Sequence, residues 1–179
     1  MTVNTILIRN EKKEIDLKEK VSLHIPEYNI IITESKLNPN ISIWSNVNIY
    51  GATIGKNTKI GAFVEIRKGV KIGNNVKIEP FVFIPEGVTI EDCVFVGPNV
   101  CFTNDLYPKS CKEDGSLITE YPITPTIVRK GASIGAGSVI ICGITIGEES
   151  MIGAGSTICD DVPPRIIIRG EKSKNIRNP

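Results

Sequence analysis

Side chains able to do chemistry are few in this chain, and they are unevenly placed. There is one histidine, His24, and five cysteines, Cys93, Cys101, Cys111, Cys142 and Cys159, none of them in CxxC spacing. An odd count without paired spacing predicts reduced thiols rather than a disulfide framework or a zinc site, so no metal is expected. Cys111 has no histidine near it in sequence to activate it as a nucleophile. What remains is an amide beside a carboxylate, Asn104 and Asp105, with Glu86 lying 18 residues earlier. An amide cannot act as a base at pH 7. A proton released beside Asn104 would pass to a carboxylate such as Glu86 or Asp105, to water or to a leaving group.

The interval of 18 acquires meaning from the elements that carry these residues. One aliphatic position recurs every six residues, at Ile54, Ile60, Ile66, Ile72, Ile78, Ile84, Ile90, Val96 and Phe102, then at Val128, Ile134, Ile140, Ile146, Ile152 and Ile158. Four residues after most of these comes a small or β-branched side chain, as at Val64, Val70, Val82, Ala132 and Ser138. A period of six fits neither a helix nor simple alternation; it fits a short strand and a turn repeated around a solenoid. Glycine clusters just after the aliphatic residue, as at Gly55, Gly61 and Gly73, where a tight corner needs little side chain.

Three hexads make one triangular coil, so each inward residue stacks on its counterpart 18 residues away. The phase traces back through Ile49, Ile43, Leu37 and Ile31, with one residue missing between Tyr50 and Thr53. The expected architecture is an all-β parallel solenoid of roughly six coils. Residues 1–30 form an N-terminal cap segment, 31–163 the β-helix and 164–179 a tail. Between Phe102 and Val128 the repeat stops, and residues of about 104–127 form a loop some twenty longer than one hexad needs. A loop of that length on a rigid solenoid is a place for function.

Coil arithmetic then places Glu86 directly below Asn104. If the loop is a pure insertion, the position above Asn104 is Cys142, beside Gly143, whose backbone N–H could face a reacting carbonyl.

Composition excludes several other classes. The net charge is +1 and the pI about 7.6, with no basic, aromatic-rich stretch, which argues against a nucleic-acid binder. No apolar run is long enough for a membrane span and the N-terminus lacks a signal-peptide core, so a cytoplasmic protein is expected. The tail is basic, with Arg165, Arg169, Lys172, Lys174 and Arg177 against Glu171 alone, and could meet phosphates.

The hexapeptide run, the segment VFVGPNVCFTNDLYPKS at 94–110 and TIVRKGASIGAGSVIICGITIGEESMIGAGS at 126–156 resemble the left-handed β-helix acyltransferases. More narrowly, they resemble bacterial N-acetyltransferases that act on nucleotide-linked 3-amino sugars in surface-polysaccharide (O-antigen) synthesis. The resemblance covers about residues 37–163, and Phe-Thr-Asn-Asp followed by Tyr-Pro is its most specific part. It implies left-handed coils, a homotrimer with parallel axes, active sites at subunit interfaces and acetyl-CoA lying along the coils.

The resemblance also assigns roles. Asn104 matches the asparagine that holds the reacting amino group, and relatives commonly carry an acid at the position of Glu86. Ala136 and Ala154 would let pantetheine approach the backbone, Gly143 would face the thioester, and Arg169 and Lys172 would meet the phosphates of CoA. Relatives that acetylate hydroxyls use a histidine base, and the carbonic anhydrases of this scaffold need three histidines; His24 supplies neither. A sugar amine is partly unprotonated near neutral pH and needs only orientation. Two departures concern CoA: Cys159-Asp160-Asp161-Val162-Pro163 has an acid where a lysine is usual, and Gly170-Glu171-Lys172-Ser173 lacks the usual proline. A 4-amino sugar, a sugar hydroxyl or an antibiotic as acceptor, and a non-catalytic scaffold, remain open on the sequence.

Overall fold

The computed structural model describes residues 4–16 and 19–170. Among these there is no α-helix, only a 3₁₀ turn at Pro26–Tyr28, and so no helix long and apolar enough to cross a membrane.

Each hexad is a strand of two or three residues closed by a turn. The aliphatic residue and the one four positions later both point inward, so Ile54, Ile66, Ile84, Val70, Val100 and Ala132 are buried. Burial of each large aliphatic side chain stabilises the fold by about 1.5–3 kcal/mol. Three parallel faces result. Ile60, Ile78 and Val96 stack on the first face, Ile49, Ile66 and Ile84 on the second, and Ile54, Ile72 and Ile90 on the third. Backbone N–H groups of one coil donate to carbonyls of the next, as Thr53 N–H does to Val70 O at 2.9 Å.

The solenoid has about eight turns, two more than the roughly six expected, because Asn4–Ile8 and Ile167–Ile168 extend the parallel stack of the first face at either end. The first face is a nine-stranded sheet, whereas the second and third join into one thirteen-stranded sheet. The link is Ile30–Leu37, which bends at Glu34 (φ 46°). It pairs with Val47–Tyr50 on one side of the corner and with Thr53–Ile54 on the other. The lower end is covered by a hairpin of Asn4–Ile8 and Glu11–Ile15, the former pairing in parallel with Ser42–Ile43. Lys12 and Lys13 lie on the outer strand of this hairpin, a charged edge of the kind that discourages further strand pairing.

Two further expectations are corrected. Ile31 does not keep the inward phase: Ile32 pairs with Ile49, while Ile31 faces out at 43% exposure. A second one-residue slip, between Ile32 and Leu37, is the cause. Nor do the glycines after the aliphatic residues serve the turn. The positive φ falls two residues later, as at Asn57, Asn75 and Gly143, whereas Gly55 sits against the next coil. A Cβ on Gly55 would lie 2.3 Å from the backbone of Gly73. Those positions are small because adjacent coils touch there.

The long loop is a pure insertion. Ile90, Val96 and Phe102 stack on Val128, Ile134 and Ile140, so the coils close above it without loss of register. The loop itself turns back at its tip, where Cys111 bridges Leu117 and Ile118 N–H donates to Ser110 O at 2.9 Å.

Candidate active site

The register carries the sequence candidates to two corners of the triangle. Glu86, Asn104 and Gly143 stand at the corner between the second and third faces, two or three residues beyond Ile84, Phe102 and Ile140 in successive coils. Asp105 stands there too. Ala136 and Ala154 stand instead at the corner between the first and second faces, both exposed, beyond Ile134 and Ile152. Arg169 continues that second column: Ile168 pairs with Ile152, and Gly153 N–H donates to Ile168 O at 2.7 Å. Lys172 lies outside the described residues.

At the first corner the side-chain amide of Asn104 is half-buried and makes no hydrogen bond among the described residues. The same is true of the Glu86 carboxylate one coil below. Asp105 is engaged, accepting from Tyr107 N–H at 2.9 Å and closing a short turn. Above, Cys142 N–H donates to Thr103 Oγ1 at 2.9 Å.

The backbone of this corner departs from the rest of the solenoid in one respect. At other corners the residue with positive φ donates its N–H to a carbonyl one coil below, as Gly137 does to Pro98 and Gly155 to Ala136. For Gly143 the corresponding acceptor is the carbonyl of Asn104. That carbonyl instead accepts from Thr124 N–H at 2.9 Å, where the loop returns. The Gly143 N–H, like that of Gly87 in the same column, is left without a partner among the described residues, at an exposed position one coil above Asn104. Gly143 has φ +88°, and a Cβ there would lie 3.0 Å from Thr124 Cγ2.

Sequence reasoning named Gly143 but missed that the returning loop is tied to the Asn104 carbonyl beneath it, since that depends on where the loop closes. It also missed a polar cluster below Glu86. Tyr50 Oη donates to Glu65 Oε1 at 3.4 Å, and Arg67 Nε donates to the same oxygen at 2.9 Å. One signal was present: Arg67 follows Ile66 at a hexad position that Gly55, Gly61 and Gly73 occupy elsewhere. Cys101, outward on the second face, has its thiol pushed up by burial, so it stays protonated and is no nucleophile.

Hexapeptide coils stacked into a parallel β-helix define the class of fold to which the chain belongs. The bacterial transferase hexapeptide (six repeats) family matches residues 51–86, 69–104 and 125–160. The chain belongs to this family, and its fold is the expected left-handed parallel β-helix.

The chain is 51% identical over 49 residues to a dTDP-3-amino-3,6-dideoxy-α-D-galactopyranose 3-N-acetyltransferase of Aneurinibacillus thermoaerophilus, a match covering 27% of this chain and 26% of that protein. It is 37% identical over 114 residues to the bifunctional protein GlmU of Thermotoga petrophila, covering 64% of this chain and 22% of that one. The matches thus span well under two thirds of either relative's length. A hexapeptide-repeat acetyltransferase of Vibrio cholerae complexed with acetyl-CoA superposes with TM-score 0.55 at 26% identity, covering 67% of this chain and 66% of that one. An N-acyltransferase of Bacillus cereus in complex with dTDP and CoA shares the fold, with TM-score 0.59 at 20% identity over 83% of this chain and 86% of that one.

Proposed function

We propose that this chain is an acetyl-CoA-dependent N-acetyltransferase acting on the amino group of a nucleotide-linked (dTDP or UDP) 3-amino sugar, in the cytoplasmic steps of surface-polysaccharide synthesis. The observation that carries the reading is the released N–H of Gly143 beside the free amide of Asn104. A nucleophile held by the amide meets a carbonyl polarised by the donor, which is what aminolysis of a thioester requires. The amine match of the Aneurinibacillus relative supports the acceptor class.

Asn104 orients the amine through its side-chain oxygen. The nitrogen lone pair attacks the thioester carbonyl carbon; the C–N bond forms and the C–S bond breaks. The developing oxyanion is met by Gly143 N–H, a donor worth about 10² to 10³ in rate when well aimed. Holding both reactants in attack geometry contributes several kcal/mol more. The proton lost by nitrogen ends on the CoA sulfur, directly or by way of Glu86, so an amide and a free thiol are the products.

The second column supports the place of the co-substrate. Ala136, Ala154 and Arg169 follow one another up a single corner, starting one coil above Asn104. Three coil steps from the level of Asn104 to Arg169 span roughly 14 Å at about 4.8 Å each, a length suited to an extended pantetheine arm with its phosphates at Arg169. This column and Asn104 stand on different corners of one chain. The site is therefore completed between copies, which supports a homotrimer with parallel axes.

The test is release of free thiol from acetyl-CoA with a panel of UDP- and dTDP-linked 3-amino and 4-amino sugars. One amine should turn over rapidly, and Asn104→Ala should lower kcat by at least ~10². An absence of thiol release with every amine, together with no acetyl-CoA binding, would leave a binding scaffold instead.

A further inference from the structure

Arg67 stands two coils below Asn104 and folds back over the second face. Its Nε is committed to Glu65 at 2.9 Å, and its guanidinium carbon lies 5.3 Å from the centre of the Phe83 ring. Tyr50, whose phenol is pushed up chiefly by burial and so stays a neutral donor, donates to the same Glu65 oxygen at 3.4 Å. The two terminal nitrogens of Arg67 have no hydrogen-bond partner among the described residues, and the side chain is 39% exposed. Lys68, exposed, lies beneath Glu86, which lies beneath Asn104.

A surface arginine–glutamate pair contributes only about 0–1 kcal/mol to stability, which does not explain a guanidinium backed by an aromatic ring and a doubly bonded carboxylate. Such backing holds a planar fork in one orientation, with its free edge aimed outward, and a fork of that kind matches phosphate oxygens two at a time. Its charge pattern along the corner is cation, carboxylate, amide, over two coil steps or roughly 10 Å. An amino sugar carried on a nucleoside diphosphate has the complementary sequence: diphosphate at one side of the ring, amine at the other.

We propose that Arg67, steadied by Glu65 and Phe83 and assisted by Lys68, is the diphosphate subsite for the acceptor, with Glu86 between it and the amine held by Asn104. This rests on the acetyl-transfer reading above. CoA also carries a diphosphate, but the column of Ala136, Ala154 and Arg169 rises from the neighbouring corner in the opposite direction along the axis, so the acceptor is the source assigned.

The full chain is titrated separately with dTDP, UDP and CoA, in wild type and in Arg67→Gln, Arg67→Lys and Lys68→Ala, with thermal unfolding confirming that each variant is folded. Arg67→Gln should weaken nucleoside diphosphate binding roughly 10- to 100-fold, as loss of a charged hydrogen-bonding partner does, and leave CoA binding unchanged. Arg67→Lys should recover part of the loss, and Lys68→Ala should show a smaller one; with the amino-sugar acceptor, Arg67→Gln should raise KM more than it lowers kcat. Equal binding of dTDP and UDP by wild type and Arg67→Gln, a loss confined to CoA, or CoA binding without any nucleoside diphosphate binding would each overturn the subsite and leave acetyl transfer standing. Failure of wild type to bind either class of ligand would overturn both readings.

Discussion

The carbonyl of Asn104 accepts the N–H of Thr124 at 2.9 Å, while Gly143, one coil above, donates to no acceptor among the described residues. Thr124 thereby ties the returning loop to the backbone of the corner that carries Asn104 and Gly143.

Thr124→Pro removes that N–H. The bond that holds the returning loop to the Asn104 carbonyl is lost, and with it the fixed placement of Asn104 and Gly143 proposed for the two reactants. A fall in kcat of about 10- to 100-fold is expected, with affinity for acetyl-CoA changing less; steady-state kinetics and acetyl-CoA titration separate the two effects. An unchanged kcat would show that the anchor at Thr124 is idle in catalysis.

Gly143→Ala meets two obstacles at once, a positive φ of +88° and Thr124 Cγ2 at 3.0 Å. The backbone conformation alone costs about 1 kcal/mol. A lower melting temperature and a lower kcat are both expected. Adding Thr124→Ser, which removes the colliding methyl, should restore part of the kcat and little of the stability, because the φ penalty stays.

Thr126 is 1% exposed, and its hydroxyl lacks a partner. It occupies the inward position that Val88 holds in the paired strand below. Replacing it by the isosteric valine removes an unsatisfied buried polar group, so Thr126→Val should stabilise the protein by about 1 kcal/mol. Urea unfolding reads this directly, and a destabilised variant would mean that the hydroxyl is bonded after all.

Asp92 carries the pH-dependent part of the scaffold. Its carboxylate accepts from Asn74 N–H at 2.7 Å and from the Asn74 side chain, and these bonds hold its pKa below the ordinary value. Because the folded pKa is depressed, its contribution is fully present above the unfolded value, about 4, and is lost as pH falls through the folded value. Wild type should therefore exceed Asp92→Asn in stability at pH 7, with the gap shrinking below about pH 4. A gap that is constant with pH would remove the ionised carboxylate as its cause.

Much of the fold was legible because a repeat states its geometry many times over. The hexad placed Ile66, Ile84 and Phe102 inside, and the interval from Ile90 to Val128 identified the loop as a pure insertion, so that Glu86, Asn104 and Gly143 could be assigned to one corner before any coordinates. Such assignments depend only on counting residues along a stack whose rungs must align to share hydrogen bonds and bury one another's apolar faces.

Where an outcome depended on contacts between segments with no periodic relation, counting failed. Ile31 turned outward because the N-terminal strand bends round a corner with a one-residue slip, and Gly55 is small because a neighbouring backbone presses on it. Likewise, the tie from Thr124 to Asn104 follows from the return point of a loop without repeat, and the row of Tyr50, Glu65 and Arg67 from side chains meeting across coils. The periodic pattern was sufficient for the backbone stack, since each coil templates the next. The bond from Thr124 to the Asn104 carbonyl was decided only in three dimensions, because no repeat fixes where the loop that carries Thr124 returns.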